Sequence, residues 1–298
     1  MNNPTQSSTA RRTDPLALIA VAATVLVWGG SYSAIRIALA GLLPVEIAVL
    51  RYFVAAIVSV IYLVVVRPRM PSTTALLRLA TTGVLYVVGF AVLLNSGQET
   101  VSAAVASFIV GTSPVMIAII AVVMLGEPFG RISWLGALIS FAGIGLIALA
   151  SGHSFSLEVG VLLVLGAALA ASVASTLQKP LLKQFSALGL TAWIMILGVV
   201  PLLPVVPGAV LALAESQAEV LWAVAFLAVF STIVGYVTWS IALQRMPASR
   251  AGSFLNCVPL AAIVIGFFWL GELPTGLDLA GGLIALSGVV VVSVAKGR

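Results

Sequence analysis

Two arginines, Arg36 and Arg51, stand inside otherwise apolar stretches of the sequence. A guanidinium carries five N–H donors in a rigid fork and grips a carboxylate bidentately. A charge within a membrane span is by default a functional candidate. Arg51 falls roughly six residues into its run, about 9 Å along a helix. It can face a cavity, pair with Glu46, or snorkel to the nearer surface. Arg36 lies closer to the end of its run, where snorkelling is easier, and a shift of 143 residues sets it opposite Lys179. Polar and aromatic residues join them inside apolar runs: Trp28, Tyr32, Ser33, Tyr86, Asn95, Gln178, Trp239 and Asn256. An amide facing lipid is costly, so Asn95 and Asn256 are expected to face protein or water. The aromatics can line a cavity or anchor at the membrane interface. An aromatic, amide-lined pocket with a few fixed cations suits zwitterionic or neutral metabolites better than large cations.

Absent groups narrow the chemistry. No G-x-x-x-x-G-K-[ST] stretch is present to cradle a nucleotide phosphate. The single histidine, His153, falls in a loop beside Gly152, and nothing has the spacing of a zinc site or a Ser/His/Asp set. No catalytic residue, metal or cofactor is therefore expected. Seven acids, Glu46, Glu99, Glu158, Glu215, Glu219, Glu272 and Asp278, fall at one set of segment ends, and Asp14 and Glu127 at the other. None falls mid-segment, where a proton relay or a counter-charge for a cationic drug would sit.

The elements that must position these residues follow from composition. The chain has 298 residues, 61% hydrophobic and 8% charged, with a mean hydropathy of +1.22, against roughly 25% charged in soluble domains. Lipid is the solvent that such a surface requires. The formal charge of +5 is spread singly or in pairs and does not point to nucleic acid. Cutting at charges, prolines and glycines gives ten spans, near 16–38, 45–66, 76–96, 102–124, 131–150, 159–179, 188–209, 220–243, 250–270 and 276–295. Each approaches the roughly 20 residues needed to cross hydrocarbon. The runs lack the alternation of a barrel strand. With residues 1–15 as a polar cytoplasmic tail, Arg11, Arg12, Arg67, Arg69, Arg78, Arg131, Lys179, Lys183, Arg245, Arg250, Lys296 and Arg298 all fall on the inner side. That is the bias of cytoplasmic loops, and it puts both termini in the cytoplasm.

A repeat organises the spans. Leu125-Gly126-Glu127 returns as Leu270-Gly271-Glu272 after 145 residues. At the same shift Pro114 matches Pro259, Gly136 matches Gly281, and Gly143 matches Gly288. Residues 16–150 and 159–295 thus form two copies, each of five helices, and an odd number inverts the second copy in the membrane. Gly111 and Pro114 interrupt the fourth span and Pro259 the ninth, as candidate gating bends. Small residues at 136, 140 and 143 and at 281, 285 and 288 predict close packing of the fifth and tenth helices. Glu127 and Glu272 mark equivalent turns. There a carboxylate can accept backbone N–H groups and cap the next helix, or latch a gate.

The paired LGE phrases, each preceded by SF and Pro and followed by two glycines, resemble the EamA family of the drug/metabolite transporter superfamily. Trp28-Gly29-Gly30-Ser31 is similar to that family's opening motif. The resemblance implies an all-α polytopic protein with ten transmembrane helices, as two inverted five-helix repeats around a central cavity. It also implies export of small metabolites, amino acids foremost, by a non-enzyme of the cell (inner) membrane, monomeric or weakly oligomeric. Its partners would be a small-molecule substrate and the lipid bilayer. The alternatives are a membrane-embedded enzyme acting on lipid and a proton-coupled drug exporter. Lacking a mid-span acid, the chain is expected to transport without a proton relay.

Overall fold

The computed structural model describes residues 14–125, 130–150, 159–245 and 254–295, and every regular element among them is helical. Lipid offers no hydrogen-bond partner, so each apolar run must close its backbone bonds on itself. In chain order the helices are α1 (Pro15–Ala38), α2 (Pro44–Val66), α3 (Thr73–Gly97), α4 (103–125), α5 (Arg131–Ala150), α6 (Val159–Leu181), α7 (Ala187–Ala214), α8 (218–245), α9 (Leu255–Leu270) and α10 (Gly276–Ala295). Among the described residues six, in α1, α2, α3, α6, α7 and α8, are long and apolar enough to cross a membrane. The apolar stretches in α4, α5, α9 and α10 are shorter.

Local chemistry explains the ends. Asp14 Oδ1 accepts the Leu16 N–H (2.9 Å), and the hydroxyls of Ser72 and Ser102 accept from Ala75 and Val105. The expected end of the seventh span at 209 is overrun to Ala214. Pro201 and Pro204 are absorbed in a 3-10 stretch, Val200–Val205, instead of stopping the helix. The glycine of the second LGE phrase, Gly271, ends α9 at φ +66, a backbone conformation that a Cβ disfavours. Gly126 and Glu127 of the first phrase lie outside the described residues.

The bundle has two chemically different ends. At the basic end, the start of α1 meets the end of α8, where Arg245 Nη1 donates to Asp14 Oδ2 at 2.7 Å. The guanidinium, with the Leu16 N–H, holds the Asp14 carboxyl below its usual range. The α2–α3 and α6–α7 turns lie at the same end, and Leu79 packs on Leu181 and Leu190 there. At the acidic end the α3–α4 and α9–α10 turns meet the end of α1, and Gly41 lies against Ser216 of the α7–α8 turn.

Helix α1 runs through the middle, its small residues Ala17, Ala20, Gly29, Gly30 and Ala34 buried against α8 and α9. Helices α5 and α10 pack on each other, as the small residues predict. A Cβ on Gly143 would come 2.5 Å from Gly281 O, and one on Gly288 2.5 Å from Gly136 O. The pairing 143 with 281 and 136 with 288 makes the two helices antiparallel and exchanges the repeat partners. Both α3 and α8 contain a π-helical stretch at mid-length, Leu85–Val92 and Phe226–Val234. Such stretches are rare and are commonly tied to function.

Candidate functional site

A cavity of about 410 Å³ occupies the centre of the bundle, lined from α1, α2, α3, α4, α6, α7, α8 and α9. Its deep part is formed by Tyr32 and Arg51, and it extends to Leu182, Ala187 and Thr191 around the α6–α7 turn at the basic end. A volume of this order holds a small metabolite.

Arg51 is only 7% exposed. It neither snorkels nor pairs with Glu46, whose Oε2 instead accepts the Leu43 N–H (2.8 Å) at the start of its own helix. Arg51 reaches across to α8, where Nε donates to Thr232 Oγ1 (2.5 Å) and Nη2 to Ser231 Oγ (3.0 Å). The π-helical backbone sets both hydroxyls. Thr232 Oγ1 donates back to Leu227 O (2.9 Å), and Ser231 O is left to accept the indole N–H of Trp28 (3.1 Å). The Tyr52 ring lies 5.2 Å from the guanidinium carbon.

One wall is aromatic. Trp28 packs edge-on to Tyr236 (5.7 Å between centroids, 67°) and tilted to Trp239 (5.8 Å, 44°). Gly235 makes room for this: a Cβ there would stand 2.5 Å from Trp28 Nε1. The facing wall carries Tyr86, whose hydroxyl hydrogen-bonds Ser175 Oγ at 2.8 Å, with Phe90 and Gln178. The break in α4 also opens on the cavity. The helix stops at Val110, resumes at Ser113, and presents Gly111 and Pro114. In α9 a short 3-10 turn, Leu255–Cys257, precedes the α-helical stretch that Pro259 opens. Asn256 lines the cavity, whereas Pro259 is buried behind it.

Two expected pocket residues lie elsewhere. Asn95 is buried and donates to Pro44 O (2.9 Å), fastening α3 to α2. The Ser33 hydroxyl is buried without a hydrogen-bond partner among the described residues. Both face protein, because the cavity-facing stripe of each helix is filled by bulkier neighbours, Tyr32 and Leu94.

Glu272 belongs to a tie at the acidic end. Its Oε1 accepts from Arg36 Nε (3.3 Å) and its Oε2 from the Ala103 N–H at a long 3.4 Å. Arg36 Nη1 also donates to Gln98 O (2.6 Å) and Glu99 O (3.2 Å), and Gln98 Nε2 donates to Tyr32 O (2.9 Å). Arg36 is thus held by the α3–α4 and α9–α10 turns rather than snorkelling. Glu272 does not cap the next helix. Thr275 and Asp278 do so, exchanging N–H bonds with each other's side chains at 3.2 and 2.9 Å. Cys257 is exposed.

Ser231 and Thr232 stand outside the set of site residues expected from the sequence. The available signal was a hydroxyl pair in the middle of an apolar run, FLAVFSTIVGY, facing the question of where a buried guanidinium finds acceptors.

A helical bundle apolar on its outside, with a mixed polar and aromatic cavity at its centre, defines a polytopic membrane protein. The chain belongs to the EamA-like transporter family, which matches residues 15–149 and 158–294. It is 31% identical over 280 residues to a probable terminal-alkyne amino-acid exporter of Streptantibioticus cattleyicolor, covering 93% of each chain. It is 30% identical over 274 residues to an uncharacterized transporter of Archaeoglobus fulgidus, covering 92% of this chain and 97% of the other. The uncharacterized transporter YdfC of Bacillus subtilis is 29% identical over 262 residues, with 88% and 86% covered. A solved structure described only as a crystal structure of a protein shares the fold, with a TM-score of 0.63 at 16% identity over 95% of this chain.

Proposed function

We propose that this chain is a secondary transporter that exports small zwitterionic or neutral metabolites, amino acids foremost, by alternating access. Ten membrane-crossing helices form two inverted five-helix halves, with both termini in the cytoplasm. The observation that carries the reading is the central cavity: it extends toward the basic end and is tied off at the acidic end by Arg36, Gln98 and Glu272. Such an arrangement is one of the two states that alternating access requires. The antiparallel α5–α10 contact and the paired π stretches support two halves related by inversion. The likeness to an amino-acid exporter supports the substrate class.

A titrating relay would need an acid or histidine in the cavity, and among the described residues none lines it. Transport therefore runs down the substrate gradient. Purified protein in liposomes tests both parts. Labelled amino acids are expected to show saturable, protein-dependent flux, unaffected by an imposed pH gradient. No flux for any amino acid or related metabolite tried overturns the transport reading, and uphill movement driven by the pH gradient alone overturns the coupling.

A further inference from the structure

The cavity holds a buried cation with no counter-ion among the described residues. Among the described residues that line it, Arg51 is the only charged side chain, and no carboxylate lies within ion-pairing distance of it. The two hydroxyls from α8 take the Nε–H and one N–H of Nη2, which together form the side-on fork of the guanidinium. The end-on fork, the second N–H of Nη2 with those of Nη1, has no protein acceptor among the described residues. A buried charge with donors unmet is costly, and a carboxylate that fills them offsets the cost with two charge-assisted bonds.

For the opposite charge the same cavity offers little. An ammonium finds hydroxyls, amide carbonyls and aromatic rings but, among the described lining residues, no carboxylate, in a space that already carries a positive charge. A zwitterion brings a carboxylate that would neutralise Arg51. An amine of the same shape without the carboxylate adds a second cation.

We propose that Arg51 is the carboxylate anchor of the substrate, and that the cavity selects on the carboxylate and tolerates loss of the α-amino group. Its ligands are then small monocarboxylates with an apolar or aromatic body, α-amino acids being one case. The body packs along Trp28, Tyr236 and Trp239, and the carboxylate docks on the end-on fork. This rests on the transport reading for its setting and departs from it in predicting that amine-free acids compete.

The test is equilibrium binding to the detergent-purified full chain, which avoids the passive bilayer crossing of weak acids. Two matched sets are used: L-phenylalanine, 3-phenylpropanoate and phenethylamine; and L-leucine, 4-methylpentanoate and 3-methylbutylamine. The expected result is binding of both acids of a set, with the amine at least tenfold weaker. Arg51→Gln is expected to weaken the acids at least tenfold and leave the amine unchanged, and Arg51→Lys to recover part of the loss. Monodisperse elution separates loss of binding from loss of fold. Amines that bind as well as the acids, acids that do not bind in either set, or Arg51→Gln protein that keeps its affinity each overturn the proposal. Liposome flux of a metabolite without a carboxylate would overturn it while leaving transport standing.

Discussion

The two π-helical stretches occupy corresponding places, the middle of the third helix in each matched half, and they do different work. In α3, Leu85–Val92 turns Tyr86 and Phe90 onto the cavity and supplies surface. In α8, Phe226–Val234 supplies polarity: two hydroxyls hold Arg51 and a carbonyl holds Trp28. The cationic side chain is equally one-sided. At the shift of 143 residues that sets Arg36 opposite Lys179, Arg51 stands opposite Ile194, which also lines the cavity. The backbone device is duplicated and its chemistry is not. For a transporter of the proposed kind, the duplicated scaffold supplies two faces that can open, and the single guanidinium gives one substrate one orientation.

The largest test of that contrast is to remove the anchor from one half and touch its counterpart in the other. Arg51→Gln should lower liposome transport at least tenfold, while Ile194→Val changes it less than twofold. Equal losses would mean that the cavity is read as a shape rather than through a charge. Next in size are two glycines, Gly89 within the first π stretch and Gly235 just after the second. Gly235→Ala places a Cβ 2.5 Å from Trp28 Nε1 and should cost several-fold in affinity with a change in tryptophan emission. Gly89→Ala meets the Ala170 Cβ at 3.0 Å, with its next neighbours at an ordinary 3.9 Å, and should cost less.

At the ends, the tie through Glu272 is about 27% exposed and its partner about 30%. Such a pair contributes roughly 0–1 kcal/mol, little enough for the proposed alternation of access to open it repeatedly. Glu272→Gln should raise labelling of a Ser31→Cys probe from the acidic side several-fold, in a Cys257→Ser background. Unchanged labelling would show that the tie is not what closes that side. Gly271→Ala, a few ångströms along the same turn, should cost about 1–2 kcal/mol of stability in thermal unfolding, from the left-handed backbone alone.

The smallest effect belongs to the basic end. The Asp14 carboxyl is held below its ordinary value of 3.8, chiefly by its hydrogen bond from Arg245. A depressed carboxylate stabilises above its unfolded value and loses that contribution as pH falls through its folded one. Asp14→Asn should therefore shift the melting temperature by the same small amount at every pH from about 5 to 9. A difference that grows across that window would remove the pair as its cause.

Most of the helical layout was legible because it depends on local chemistry. Charges, prolines and glycines mark where a run must leave lipid, and α5 and α10 begin and end where those marks put them. The breaks at Gly111 and before Pro259, and the small-residue contact of α5 with α10, came from spacing in the same way. The candidate site was legible as a set of residue types, since seven of the nine expected pocket side chains line one cavity and only Ser33 and Asn95 do not. What could not be read is whatever spans the chain. Arg51 and Thr232 are 181 residues apart, and Arg36 and Glu272 are 236 apart. Neither side of either pair announces the other without the packing that brings them together. The π stretches carry no propensity signal, because their apolar residues suit an α-helix equally well.

The contact between α5 and α10 has a bearing on origin. Gly143 meets Gly281 and Gly288 meets Gly136, so each half offers the other the same patch and receives the same patch in return. A patch complementary to itself needs no covalent link between the partners. Two separate copies of a five-helix chain could associate through it as a homodimer. In a single chain each cavity-facing residue is free to differ from its counterpart, as Arg51 does from Ile194.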